Sequence, residues 1–200
     1  MKRVAVLGSG RGSNLEALLR GEAEFGSYRV ALVVSNIEDA GILAIAEQAG
    51  RRSAALPHRG RTREAHESEV LTLLRAHGAE IVCLAGYMRV LTPQFIASTP
   101  GPILNIHPSL LPSFPGMNAQ RQAIVAGVRW SGATVHLVDP GVDTGAILLQ
   151  EPVEVMESDT EATLSARILL TEHRLYPRAL DLVARDRVRL HEGRAFIGEP

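Results

Sequence analysis

The 200-residue sequence predicts an α/β fold, a mostly parallel central sheet of about seven strands with antiparallel pairing in its C-terminal half. Three observations carry that expectation. Short, near-continuous apolar runs rich in β-branched residues recur along the chain, as strands covered on both faces require. Helix-length segments separate them, the alternation of parallel βαβ units. After residue 130 two strand-like runs follow one another with no helix between them, so pairing there turns antiparallel.

Taken in order, "RVAVLG" (3–8) is the first strand, and the turn "GSGRGSNL" (8–15) leads into a helix over about 13–20. "YRVALVVS" (28–35) is the second strand, followed by a helix at 40–49 and a weaker strand, "RSAALP" (52–57). A charged helix at 62–77 precedes "EIVCLAG" (80–86), and "PILNI" (102–106) precedes a helix at 117–126. "GATVHLV" (132–138) and "GAILLQEPVEV" (145–155) complete the sheet before a long helix at 159–185. With no repeat, low-complexity tract or linker, residues 1–200 are expected to form one domain.

Composition narrows the function classes. At 46% hydrophobic, 22% charged and a net charge of -1, the chain gives no electrostatic reason to expect nucleic acid or an anionic membrane. No apolar run approaches the roughly 20 residues of a membrane span. The N-terminus reads as a strand rather than a leader, and Cys83 is the only cysteine, so a cytoplasmic protein is expected. Cys83 and Trp130 read as packing residues, and whether the protein is a monomer or a homodimer is left open.

The first turn invites a ligand. Gly8, Gly10 and Gly12 let the backbone approach closely, and the helix behind them offers free N–H groups to an anion. The turn lacks the Lys of a P-loop. A dinucleotide fingerprint fails twice, since Ser13 stands where its third Gly belongs and the second strand ends in Ser35 and Asn36 rather than an acid. A phosphate monoester at the helix N-terminus remains open. Ser13 also reads as an N-cap, with Glu16 completing a capping box.

The second motif is "NIHPSLLPSFPG" (105–116). Its prolines stiffen the backbone just after an amide and an imidazole, and the Leu111–Pro112 bond is a candidate for cis. Asn105 and His107 are two apart on a strand, so both point to one face, at the carboxyl end where open α/β sheets bind ligands. Most of the seven histidines (His58, His66, His77, His191) read as surface residues, and none has zinc-ligand spacing. "VDPGVDTGAILLQ" offers Asp139 and Asp143; one shapes the turn and the other, if it reaches His107, favours an oriented imidazolium. His136 fits either a place behind that turn or an ordinary core histidine. With no nucleophile elbow, an Asn/His/Asp group suits direct acyl transfer, with donors for an oxyanion and a proton relay for the leaving group.

The segments "GSGRGSNL", "SNIEDAG", "EIVCLAGYMRVL", "NIHPSLLPSFPG", "GATVHLVDPGVDTGAILLQ" and "TEHRLYP" together resemble the glycinamide ribonucleotide formyltransferases of purine biosynthesis, in the family's order over about residues 3–177. The loop beginning at Asn105 is shared by folate-dependent formyltransferases as a group; the glycine turn and short length favour this member. The resemblance implies a single Rossmann-like formyltransferase domain that moves the formyl group of 10-formyltetrahydrofolate, as co-substrate and without metal, to the glycinamide amine. It implies that Asn105, His107 and Asp143 are catalytic, and that Gly12, Ser13 and Asn14 hold the ribonucleotide phosphate in the N-terminal half, with Glu172 receiving the glycinamide end. Arg63, Met88, Arg89, Val90 and Leu91 with Asn105 would line the folate pocket, the folate and catalytic site lying at strand ends around 86–145. Arg11 is expected to be variable, and 116–124 to form a loop and helix near the site.

Three rivals have stated discriminants. A formyltetrahydrofolate hydrolase carries an added N-terminal regulatory domain, and a methionyl-tRNA formyltransferase a C-terminal one and a basic surface. A non-catalytic nucleotide-binding module gives Asn105, His107 and Asp143 no reason to converge.

Overall fold

The computed structural model describes residues 1–198. Among these the chain runs β1 (Lys2–Leu7), α1 (Ser13–Phe25), β2 (Tyr28–Ser35), α2 (Gly41–Gln48), β3 (Arg52–Ala55), α3 (Arg63–Ala76), β4 (Ile81–Leu84), α4 (Pro93–Ser98), β5 (Ile103–His107), α5 (Ala119–Val125), β6 (Trp130–Leu137), β7 (Ile147–Glu154), α6 (Glu161–Ala184), β8 (Val188–His191) and β9 (Arg194–Ile197). The seven-stranded sheet has the order β3-β2-β1-β4-β5-β6-β7. Pairing is parallel from β3 to β5 and antiparallel for β5–β6 and β6–β7. The expected fold class and every expected strand are present. Strand order reverses between β1 and β4, which opens a crevice at their carboxyl ends.

Two apolar layers sandwich the sheet. On one face Val4, Val6, Val30 and Cys83 meet Leu15 and Leu18 of α1 and Leu164, Ile168 and Tyr176 of α6. On the other, Ala5, Leu7, Leu32 and Val82 meet Val70 and Leu74 of α3 and Phe95 of α4. Each fully buried Leu contributes up to about 1.5–3 kcal/mol. Gly21 lets α1 and α6 touch: a Cβ there would stand 2.4 Å from both Pro177 Cβ and the Tyr28 hydroxyl.

Several expectations need correction. The N-cap of α1 is Gly12, at φ 94, so Ser13 is the first helical residue and no Ser13 capping box forms. Helix α4 and the β8–β9 hairpin were not foreseen. The first is announced by Thr92, whose hydroxyl accepts from the Phe95 N–H, with Pro93 opening the helix. The second turns through Glu192 and Gly193, both at positive φ. Trp130 is not a packing residue: it is 57% exposed at the start of β6, beyond the residues that pair with β5. His66 is fully buried rather than superficial, its Nε2 2.9 Å from the Leu56 carbonyl oxygen.

Candidate active site

Strand β5 ends Asn105–Ile106–His107, with Asn105 half-buried and His107 buried, while its antiparallel neighbour sets His136 opposite Asn105 and Thr134 opposite His107. Across the strand ends hangs the 138–146 loop. Asp139 shapes it, accepting from the Gly141 N–H (3.0 Å) and the Thr144 hydroxyl (2.7 Å). That leaves Asp143 to turn inward, in a left-handed conformation (φ 54) rarely taken by residues other than Gly.

The Asp143 carboxylate is where the group converges. Oδ2 accepts from the Gly116 N–H (2.7 Å) and lies 3.3 Å from His107 Nδ1. Oδ1 lies 3.5 Å from both His136 Nε2 and Asn105 Nδ2, and the last two atoms are 3.2 Å apart. Burial by itself pushes this carboxyl up, but His136, the Gly116 N–H and His107 together hold it below the ordinary carboxylate range. The Nδ1 hydrogen of His136 is directed to the Leu137 carbonyl at 2.8 Å, which turns Nε2 toward Asn105 and Asp143. His107 Nε2 lies 2.8 Å from the Phe114 carbonyl oxygen.

The proline-rich loop is pinned from beneath. The buried Ser109 hydroxyl donates to the Ser113 carbonyl (2.5 Å). The Thr134 hydroxyl donates to the Ser109 carbonyl (2.7 Å) and accepts from the Leu111 N–H (3.1 Å) and Gln150 Nε2 (2.9 Å). The Leu111–Pro112 bond, the candidate for cis, is cis.

Two openings flank this centre. The first, a cleft of about 560 Å³ counted out to solvent, has apolar walls from Leu84, Val90, Leu91, Ile96 and Val138, with Arg89, Asn105, His136 and Asp143 among its polar lining. Such a cavity suits a small organic molecule whose apolar surface meets these walls and whose polar groups are oriented by the few polar side chains. The second is the crevice between β1 and β4, lined by Ser9 to Asn14, Ala85, Gly86 and Met88. Ser9 is committed there, donating to Asn36 Oδ1 (2.5 Å) and accepting from the Met88 N–H (2.8 Å). The N–H groups of Ser13, Asn14 and Leu15 begin α1, and helical bonding starts with Glu16 N–H donating to the Gly12 carbonyl. Asn14 Nδ2 donates to Glu172 Oε2 (2.8 Å), while Asn14 Oδ1 is buried without a partner among the described residues. That orphan acceptor beside an acid fits a ligand carrying hydroxyl or amine donors. Burial pushes the Glu172 carboxyl above its ordinary range, against the Asn14 amide, which lowers it.

The structure therefore brings Asn105, His107 and Asp143 together, and separately Gly12, Ser13, Asn14 and Glu172. Arg89, Val90 and Leu91 line the cleft. Met88 does not: its N–H is tied to Ser9 and it borders the crevice. Arg63, exposed at the start of α3, lines neither opening. Sequence reasoning left His136 undecided and missed the Phe114 carbonyl and Gly116 N–H. His136 was findable, because an antiparallel β5–β6 pair sets it opposite Asn105; backbone groups leave no such signal. Among the described residues no three His, Cys, Asp or Glu side chains cluster to hold a metal, and no helix is long and apolar enough to cross a membrane.

Residues 2–180 match the formyl transferase family. The chain is 47% identical over 189 residues to the trifunctional purine biosynthetic protein adenosine-3 of Drosophila pseudoobscura, covering 92% of this chain but 14% of that one. It thus spans only a small part of these trifunctional relatives. It is 42% identical to phosphoribosylglycinamide formyltransferase of Bacillus subtilis, covering 90% of this chain and 93% of that one. The solved glycinamide ribonucleotide transformylase 1 of Symbiobacterium toebii superposes with a TM-score of 0.96 at 45% identity, over 100% of this chain and 95% of that one. A formyltetrahydrofolate deformylase of Pseudomonas syringae superposes at 0.90 with 30% identity, over 99% of this chain and 66% of that one.

Proposed function

The chain belongs to the formyl transferase family, and from that premise we propose that it is the enzyme that transfers the formyl group of 10-formyltetrahydrofolate to the amine of glycinamide ribonucleotide in purine biosynthesis. The observation that carries the reading is the convergence of Asn105, His107 and Asp143, two of which, Asn105 and Asp143, line the cleft while His107 is buried behind Asp143. Residues 1–200 act as one formyltransferase domain, on small-molecule substrates.

In this reading the ribonucleotide phosphate sits on the N–H groups that open α1, with Gly12, Ser13 and Asn14 around it and Arg11 beside it. Glu172 and Asn14 Oδ1 accept from the hydroxyl and amine groups of the glycinamide end. The pteridine enters the cleft against Val90 and Leu91, with Arg89 in its polar lining. Met88 borders the ribonucleotide crevice instead, its N–H held by the Ser9 hydroxyl. Arg63, exposed on α3, meets the anionic tail of the folate outside the cleft.

The neutral amine attacks the formyl carbon and forms a C–N bond. Asn105 Nδ2 donates to the oxygen as it becomes an oxyanion. The charged His107 ring, paired directly with Asp143 at 3.3 Å, lowers the energy of that oxygen. Collapse breaks the bond to folate N10, which takes the proton the amine gives up, with Asp143 and a solvent molecule relaying it. Formyl carbon, nitrogen and proton balance, and no electrons enter or leave.

The test is acceptor dependence: loss of the formyl group from 10-formyltetrahydrofolate, followed with and without glycinamide ribonucleotide. Turnover only with the ribonucleotide is expected. Equal turnover without it would make water the acceptor, the chemistry named in the Pseudomonas syringae neighbour. No turnover in either case would leave a binding module.

A further inference from the structure

Both nitrogens of His107 face oxygens that only accept. One is the Phe114 carbonyl, 2.8 Å from Nε2; the other is the Asp143 carboxylate, 3.3 Å from Nδ1. A neutral imidazole has a single hydrogen to give and would leave one of these contacts as lone pair against lone pair; the imidazolium satisfies both. The Asp143 side of this arrangement belongs to the site already described. The carbonyl side has its own origin in the loop.

Phe114 lies in the left-handed region, at φ 55, where a bulky L-residue is an outlier. Nothing about the aromatic ring asks for that conformation; its partly buried ring simply packs against the sheet. The conformation does turn the carbonyl toward β5. It is held by the Ser109 hydroxyl on the neighbouring Ser113 carbonyl and by Thr134, which fixes the loop on the strand directly opposite His107. Strain kept by so many bonds, beside the one histidine at the centre of the site, points to a purpose in the backbone.

We propose that Phe114 is a positioning residue whose backbone carbonyl, aimed by its left-handed conformation, holds the Nε2 hydrogen of His107 and presents the ring to Asp143 in its charged form. The inference rests on the reading of His107 as the charged group of formyl transfer, and adds what keeps it so from the face away from Asp143. The titratable groups facing this ring are Asp143 from the 138–146 loop and, beyond it, His136 from β6; the 108–116 loop contributes none.

Two substitutions separate backbone from ring. Phe114→Asn and Phe114→Val both delete the aromatic packing, but Asn tolerates the left-handed region and a β-branched residue does not. Val adds the crowding of a branched Cβ to the left-handed penalty that Phe already carries, which depopulates the carbonyl's position. Phe114→Asn is therefore expected to keep kcat near wild type. Phe114→Val should lose about tenfold in kcat with KM unchanged.

Long-range 1H–15N spectra of His107 give a readout independent of turnover. Wild type and Phe114→Asn should show both nitrogens protonated at a pH where Phe114→Val shows only one. Equal loss in both variants with unchanged His107 spectra would overturn the proposal and leave Phe114 as packing. A wild-type protein without transferase activity that still shows the spectral difference would instead sink the proposed function while leaving the carbonyl's role standing.

Discussion

Replacing Asn105 by Ala is the sharpest perturbation of the chemistry. The amide is half-buried in the lining of the cleft, and its Nδ2 lies 3.2 Å from His136 Nε2 and 3.5 Å from Asp143 Oδ1. Neither contact is short, and Asp143 keeps its 2.7 Å bond from the Gly116 N–H without them. The cost to folding should then be about 1 kcal/mol or less. The cost to catalysis is of another order, because removing one oxyanion donor typically takes 10²–10³ from kcat, about 2.7–4 kcal/mol of transition-state stabilisation. Steady-state kinetics with both substrates, beside a urea unfolding curve, separates the two. The expected outcome is kcat reduced about 100- to 1,000-fold with KM little changed and the unfolding midpoint nearly so. Asn105→Asp, of equal volume but without the donor, should be no better. A kcat within about twofold of wild type would refute the oxyanion role, and a rise in KM alone would make Asn105 a binding residue.

Three further outcomes follow from packing and charge. Gly12→Ala places a Cβ at φ 94 and 2.7 Å from Ile42 Cα, so it should lower unfolding stability by about 2 kcal/mol or more and weaken ribonucleotide binding; an unchanged urea midpoint would contradict this. Tyr176→Phe removes the hydroxyl shared by the Leu84 and Leu104 carbonyls, 3.0 Å from each, at the strand ends feeding the crevice and Asn105. A loss of about 1–3 kcal/mol is expected in chemical denaturation, and no loss would mean solvent reaches those carbonyls. Glu172 has a folded-state pKa raised by burial, so its favourable contribution is present below the unfolded value near 4.3 and is lost as pH rises through the folded one. Glu172→Gln should therefore melt higher than wild type at pH 8, little differently at pH 4, and bind the ribonucleotide more weakly; a lower melting point at pH 8 would reverse that sign.

Much of this site was legible because strand geometry is simple. Two residues apart on a strand means one face, which is enough to pair Asn105 with His107 before any coordinates exist. Two aspartates in one glycine-containing turn allowed the division of labour found for Asp139 and Asp143. What stayed hidden depends on the third dimension. Ser13 has the sequence of a cap, but Gly12, close against Ile42 of α2 and at positive φ, takes the cap position, and the helix starts one residue earlier. Met88 lies beside Arg89 in sequence, yet its N–H is claimed by Ser9 across the crevice, so the two border different openings. His66 sits among charged neighbours on a helix that reads as exposed, and only the fold turns it under Leu56. The Phe114 carbonyl and Gly116 N–H are main-chain groups that every residue carries, so no side-chain pattern reveals which of them will be used.

The central claim is direct transfer at Asn105, His107 and Asp143, without a formylated protein between donor and acceptor. It is tested most directly by a single turnover of 10-formyltetrahydrofolate carrying an isotopic label in the formyl carbon, quenched at intervals and separated into protein, folate and ribonucleotide. The predicted result is label passing from folate to ribonucleotide with none on the protein at any time, and no transfer when the ribonucleotide is left out. Label accumulating on the protein, and then moving to the ribonucleotide, would contradict the account.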